Sequence, residues 1–229
     1  MINSIISFGC SFSCWRQDFT KGFVDLVAND YGVQYQNHSI PGNSNEAIIN
    51  EFNKRYHQYE LKDSLILFQP TFLTRYSYYD SKFRNLISLQ NMVNAKRGDE
   101  VVSNFQVMFN ENEVTSIDFY EKKLQLYRDY QKYLYNDEYE YNKLLYSLYN
   151  IQSSIEKIGS KIIFIYFDSW YKSTPMFNKI NFIRFGNELS CLNWAKKNNL
   201  TYSKEDLHLS EEGNKILAEK LISMGRSME

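Results

Sequence analysis

A chain of 229 residues and 27.3 kDa is long enough to bury a full core and fits one α/β domain of ordinary size. Its 26 Lys+Arg against 27 Asp+Glu leave a formal net charge of -1, so no overall positive field is present to hold a nucleic acid through its phosphates. Hydrophobic residues at 43%, with 19 Tyr and 16 Phe, exclude a disordered chain.

Ile2 to Phe8 is a short apolar run rich in β-branched residues that ends in Gly9-Cys10-Ser11-Phe12-Ser13, a small-residue cluster suited to a tight turn. It predicts a buried first strand. From Asp18 to Tyr31 the residues Phe19, Phe23, Leu26, Val27 and Tyr31 recur at helical spacing, with Gly32 at the expected stop. Val33 to His38 alternates as a second strand. The loop Ser39-Ile40-Pro41-Gly42-Asn43-Ser44-Asn45 then offers Ser44 or Asn45 as cap for a helix through Ala47, Ile48, Ile49 and Phe52.

Ser64 to Phe68 is a third apolar strand, stopped at Gln69-Pro70-Thr71 because proline cannot continue a central ladder. The stretch from about 77 to 113 has few periodic apolar residues, contains Arg97-Gly98-Asp99, and reads as an irregular excursion that covers a site. Ile117 to Ile158 is helically periodic throughout. As one rod its roughly 42 residues would span about 63 Å, against a radius of gyration near 17 Å for a compact chain of this length. The rod must break or protrude, and Asn136-Asp137, which favour caps, mark the break. Gly159 ends the helix before a fourth strand, Lys161 to Phe167. A helix at 188–197, a short strand at Leu200-Thr201-Tyr202 and a last helix from Ser210 to about Met224 complete the chain.

This alternation predicts an α/β fold of three layers, α/β/α, with a mostly parallel central sheet and an irregular and helical insertion at about 77–158 within a single domain. Cys10, Cys14 and Cys191 lack the paired spacings of a disulfide framework or a zinc site. The N-terminus has neither a basic n-region nor an apolar h-region, and no run of about 18 apolar residues occurs. A cytoplasmic protein with no membrane partner is expected.

Ligands of an open parallel sheet gather outside the carboxyl ends of its strands, and three loops belong there. Gly9-Cys10-Ser11 puts a hydroxyl at a strand-to-helix turn, where free N–H groups suit a nucleophile whose attack builds an oxyanion. Pro41-Gly42-Asn43 lets the backbone present an unhindered N–H. Glu205-Asp206-Leu207-His208 puts an imidazole within a few residues of a carboxylate. Singly, each pattern is more often a turn, a cap or a solvated surface feature. Cys10 should face the core, opposite Ser11. His38 and His57 have no partner at metal-ligand spacing, and most tyrosines between 127 and 149 belong to core or interface.

In their order along the chain these three loops resemble the blocks of the SGNH, or GDSL-type, hydrolase family. Ile6-Ser7-Phe8-Gly9-Cys10-Ser11-Phe12-Ser13 resembles the first block, in the Gly-Cys-Ser-Phe variety found in bacterial and phage members. Asn37 to Asn45 resembles the second block, and Asp206-Leu207-His208-Leu209-Ser210 the last. The resemblance implies a flavodoxin-like sheet and an ester hydrolase acting without metal or organic cofactor. Ser11 is its nucleophile, His208 the base, and Asp206 the acid, with Glu205, three residues before the histidine, as the alternative. Oxyanion donors come from Ser11, Gly42 and Thr71. Thr71 stands in for the family's third-block asparagine, which is missing from Phe68-Gln69-Pro70-Thr71. Asn43, Asn45 and Arg75 are implied as substrate-binding residues, for an acyl or acetyl ester of a carbohydrate or small molecule. An acyltransferase or non-catalytic binding protein of the same fold remains open. So does a Tyr-rich helical scaffold that pairs with itself as a homo-oligomer or with a partner.

Overall fold

The computed structural model describes residues 2–13, 22–57, 61–75, 77–80, 85–88, 125, 128–168, 171–204 and 206–229. Along the chain these form β1 (Ser4–Phe8), α1 (Phe23–Tyr31), β2 (Gln34–Asn37), α2 (Asn45–His57), β3 (Ser64–Phe68), β4 (Ser77–Asp80) and β5 (Asn85–Ser88). A π-helical turn (Tyr130–Leu134) precedes α3 (Asp137–Lys157), β6 (Lys161–Phe164), α4 (Cys191–Lys197) and α5 (Glu211–Ser227). The main sheet is fully parallel, in the order β2-β1-β3-β6. Its register sets Ser4 beside Gln34 on one side and Ser64 on the other, and Phe68 beside Phe164.

Successive side chains of a strand enter opposite faces, which gives the molecule two cores. Ile5, Leu65, Leu67 and Ile163 are buried with Val24 and Val27 of α1, Cys191 and Ala195 of α4, and Leu217 and Leu221 of α5. Ile6, Ile66, Phe68, Ile162 and Phe164 are buried on the other face with Ile48 and Phe52 of α2 and Leu144, Leu148 and Ile155 of α3. The strands read as unbroken apolar runs because helices cover both faces, and each such side chain contributes about 1.5–3 kcal/mol by its burial. The fold is thus α/β in three layers.

Polar caps set the helix limits. Ser44 Oγ accepts from Ala47 N–H at 3.3 Å, Ser190 Oγ from Asn193 N–H at 3.2 Å and Ser210 Oγ from Gly213 N–H at 3.1 Å. The break expected at Asn136-Asp137 is a cap of the same kind, with Asn136 Oδ1 accepting from Tyr139 N–H at 2.9 Å. Each such cap contributes about 1 kcal/mol.

Two expectations need correction. The excursion expected to be irregular from residue 77 starts as an antiparallel hairpin, β4 with β5, in which Ser77 pairs Ser88; residues 89–124, including Arg97-Gly98-Asp99, lie outside the described residues, as do 18–21 of the first expected helix. The second strand, expected over 33–38, forms as β2 at the edge of the sheet and is exposed along its whole length. The strand expected at 200–202 is one antiparallel bridge between Thr201 and Leu209. Among the described residues no helix is long and apolar enough to cross a membrane.

Candidate active site

Loops after β1, β2, β3 and β6 and the loop before α5 supply the candidate residues. After β1, Ser13 N–H donates to Cys10 O at 3.1 Å and closes a turn over residues 10–13. Ser11 lies in this turn, partly exposed, while Cys10 is wholly buried; it packs in the core of Ile5, not in that of Ile6 and Phe8, so the turn after β1 and not strand alternation sets its direction. The turn is tied to Gln69, which is also wholly buried. Gln69 Oε1 accepts from Cys10 N–H at 3.1 Å, Ser13 O–H at 3.1 Å and Cys10 S–H at 3.3 Å. Its Nε2 donates to Pro70 O at 2.7 Å. The bond from Cys10 N–H to Gln69 Oε1 is buried, and loss of a buried hydrogen bond of this kind typically costs about 1–3 kcal/mol.

The second loop leaves β2 alongside the first. His38 N–H donates to Ser7 O at 2.8 Å and Ile40 N–H to Gly9 O at 3.1 Å, so the loop runs along the end of β1. Asn37 Nδ2 donates to Ser13 O at 2.7 Å and ties it to the first turn as well. Asn43 N–H donates to Ile40 O at 3.2 Å and closes a four-residue turn. Pro41 is suited to its second position, and Gly42, at φ 74°, occupies the left-handed region a type II turn demands of the third. The amide expected to face a developing oxyanion therefore belongs to a hydrogen-bonded turn whose first residue, Ile40, is bonded to Gly9.

The loop before α5 brings Asp206 and His208 together. Asp206 Oδ1 lies 2.6 Å from His208 Nδ1 and accepts from His208 N–H at 3.0 Å. Asp206 N–H donates to Ser203 Oγ at 2.9 Å, Ser203 N–H to Asp206 O at 3.0 Å and Tyr202 N–H to His208 O at 2.7 Å. With Nδ1 engaged by the carboxylate, Nε2 is the ring nitrogen that Asp206 does not hold. Both side chains are partly buried. Glu205, the alternative acid, lies outside the described residues.

Phe12 joins the two loops. Its ring centroid is 4.7 Å from that of His208, 4.4 Å from that of Phe167 after β6 and 6.1 Å from that of Phe72 after β3. The imidazole therefore packs against the residue that follows Ser11, so residues 11 and 208 lie at the same edge of the sheet. Among the described residues no hydrogen bond joins Ser11 Oγ to the His208 ring.

The remaining candidates have structural roles of their own. Asn45, expected at the substrate, instead has both ends of its amide on the backbone of Thr71. Oδ1 accepts from Thr71 N–H at 2.8 Å and Nδ2 donates to Thr71 O at 3.2 Å. A buried primary amide matches a peptide group in this way, and the pairing holds the loop after β3 against α2. Thr71 Oγ1 is buried without a hydrogen-bond partner. Arg75 donates from Nη1 to Asn43 O at 3.3 Å and lies over the Phe72 ring at 5.1 Å, while its Nε is buried and unpartnered. Asn43 is buried, and its carbonyl holds Arg75. Asp168 Oδ2 accepts from Leu73 N–H at 2.9 Å and fixes the loop after β3 to the end of β6.

Gln69, Phe12 and Asp168 were given no role by the sequence reading. Gln69 had a signal, since a lone amide continuing an apolar strand ahead of proline must find partners inside the protein. Phe12 and Asp168 had none, because their contacts come from separate loops. Of the tyrosines in α3, Tyr141 is core, its hydroxyl pushed up to about 12 by burial, while Tyr139 and Tyr146 are exposed. Among the described residues no His, Cys, Asp and Glu side chains group to hold a metal.

No family model and no curated protein matches the chain. Among solved structures it is similar to a lipase/acylhydrolase from Enterococcus faecalis, at 14% identity and a TM-score of 0.45 over 98% of this chain and 97% of that one. It is also similar to a catalytic mutant of an acetylxylan esterase from Geobacillus stearothermophilus, at 13% identity and a TM-score of 0.35 over 97% and 93% of the two chains. Likeness at this level assigns neither family nor activity to the chain.

Proposed function

We propose that this protein is a serine esterase of the SGNH type that cleaves an acyl or acetyl ester of a carbohydrate or small molecule. The observation that carries the reading is the 2.6 Å Asp206–His208 pair with its imidazole packed on Phe12, next to Ser11. In this reading an ester entering between the loops draws Ser11 Oγ and His208 Nε2 into hydrogen-bond contact, as catalytic contacts that are loose in a free enzyme do. Ser11 Oγ attacks the carbonyl carbon as its proton passes to Nε2, and Asp206 stabilises the resulting imidazolium through Nδ1–H. The oxyanion is received by the N–H groups of Ser11 and Gly42 and by the otherwise unpartnered Thr71 hydroxyl. Each such donor typically contributes about 3 kcal/mol. The imidazolium returns its proton to the leaving alcohol. Water, activated by the same imidazole, then releases the acid from Ser11.

The test is covalent labelling by a fluorophosphonate together with hydrolysis of p-nitrophenyl acetate. The expected result is labelling of the wild type, none of Ser11→Ala, and a loss of about 10²- to 10⁴-fold in turnover for His208→Ala. A wild type that neither labels nor hydrolyses, or a Ser11→Ala variant that does both at the wild-type rate, overturns the reading.

A further inference from the structure

We propose that Gln69 is a positioning residue for the nucleophile, its side-chain carbonyl clamping the turn at Cys10 and Ser13 and so fixing Ser11 relative to His208. The inference rests on the reading of Ser11 as nucleophile. Gln69 belongs to none of the three loops that suggested a triad, and it reaches the turn from the end of β3. Its main-chain N–H donates to Phe8 O at 2.8 Å and continues the β1–β3 ladder by one step, which sets its backbone. The amide has one orientation only. Nε2 donates to Pro70 O at 2.7 Å, and Oε1 must face Cys10 because a backbone N–H can only donate.

The clamp brackets the nucleophile. Cys10 N–H and Ser13 O–H, both 3.1 Å from Oε1, stand on either side of Ser11 and Phe12. The same clamp therefore also sets the ring that packs on His208. Gln69 is inaccessible to solvent, so water does not take its place. The approach is as close as the backbone permits: a Cβ on Gly9 would lie 2.8 Å from Ser13 Oγ and 2.9 Å from Gln69 Oε1. Displacing a reacting group by about 1 Å can cost about 100-fold in rate, and a turn held by a buried amide is a means of preventing such displacement. Gln69 touches no reacting atom and acts through the turn.

The experiment compares the wild type with Gln69→Met, similar in length but without the acceptor, and Gln69→Glu, which keeps acceptor oxygens. Leu148→Ala, in the core under α3, serves as a variant destabilised away from the turn. Measured are kcat and KM for p-nitrophenyl acetate, the fluorophosphonate labelling rate, Tm, and hydrogen exchange of residues 9–13. The expected result for Gln69→Met is a fall of about 10- to 100-fold in kcat and labelling rate, little change in KM, and faster exchange confined to 9–13. Gln69→Glu recovers part of kcat, and Leu148→Ala lowers Tm without lowering kcat.

Wild-type kcat and unchanged 9–13 exchange in Gln69→Met overturn the proposal and leave the esterase reading standing. A matching fall of kcat in Leu148→Ala overturns it too, since the effect is then one of general stability. A wild type without labelling or turnover overturns both. Should Gln69→Met not fold, Ser13→Ala decides, because it removes one donor and leaves Gln69 in place: a severalfold loss of kcat with faster 9–13 exchange supports the clamp, and no change in either overturns it.

Discussion

The loop carrying Ser11 and the loop carrying His208 are held by opposite means. The 202–210 segment closes on itself, with Tyr202 bonded to His208, Ser203 to Asp206, and Asp206 to His208. Every one of these partners lies within six residues of the other. Among the described residues the 10–13 turn is closed by Ser13 N–H to Cys10 O. Its other anchors are Gln69, 56 and 59 residues away, and Asn37, 24 away. A local loop keeps its shape wherever the chain carries it, whereas the turn has its shape only once β1, β2 and β3 are assembled. The Asp206–His208 pair is thus a property of a short segment and the placement of Ser11 a property of the sheet. Damage to the first should disable chemistry in an intact fold, and damage to the second should affect chemistry and stability together.

The largest effect is expected at the local loop. Asp206→Asn retains the size of the side chain but removes the charge that fixes the imidazole tautomer, and turnover should fall by about 10⁴-fold with Tm nearly unchanged. Ester hydrolysis and thermal melting of the same sample measure both. Retention of more than a tenth of the activity would break the assignment of Asp206 as the acid and turn attention to Glu205. Next is the long-range turn. Gly9→Ala drives a methyl into Ser13 Oγ and Gln69 Oε1 at under 3 Å, so stability should drop by about 1–3 kcal/mol and fluorophosphonate labelling should slow with it. A stable but inactive Gly9→Ala would mean that the turn answers to local geometry after all.

The smallest effect concerns another self-closing segment, at the start of α4. Burial alone would raise the Glu188 carboxyl, but Lys197 and the N–H groups of Leu189 and Ser190 outweigh it and hold the group below the usual carboxylate range. A lowered folded value means that this contribution is fully present above the ordinary carboxylate range and is lost as pH falls through the folded value. Glu188→Gln should therefore lower Tm at neutral and alkaline pH, converge with the wild type in acid, and so reduce the acid-side slope of Tm against pH, as a series of melts would register. An equal change of Tm at every pH would show that packing, not the carboxylate, is responsible.

Much of the fold was legible in the sequence. Runs such as Ser64 to Phe68 are apolar without interruption because both faces of the sheet are covered, and capping residues such as Asn136 and Ser210 mark helix starts through bonds that span three residues. The hairpin β4–β5 was not legible, since its pairing has no helical or strictly alternating apolar signal. In the candidate site, the proximity of Asp206 to His208 follows from a separation of two residues. The role of Asn45 did not follow from sequence: an asparagine at a helix start reads as a cap or a ligand contact, and its match to the Thr71 backbone needs α2 and β3 already packed.

The amino-acid order alone therefore determined the layers, the helix starts at Asn136 and Ser210 and the nearness of Asp206 to His208, because these depend on burial periodicity and on bonds between near neighbours. Tertiary structure decided which loops share an edge, that Phe12 packs against His208, and that one buried amide from β3 grips the turn around Ser11. Those contacts link residues tens to nearly two hundred positions apart, and no local propensity encodes a distance that exists only after the sheet has formed.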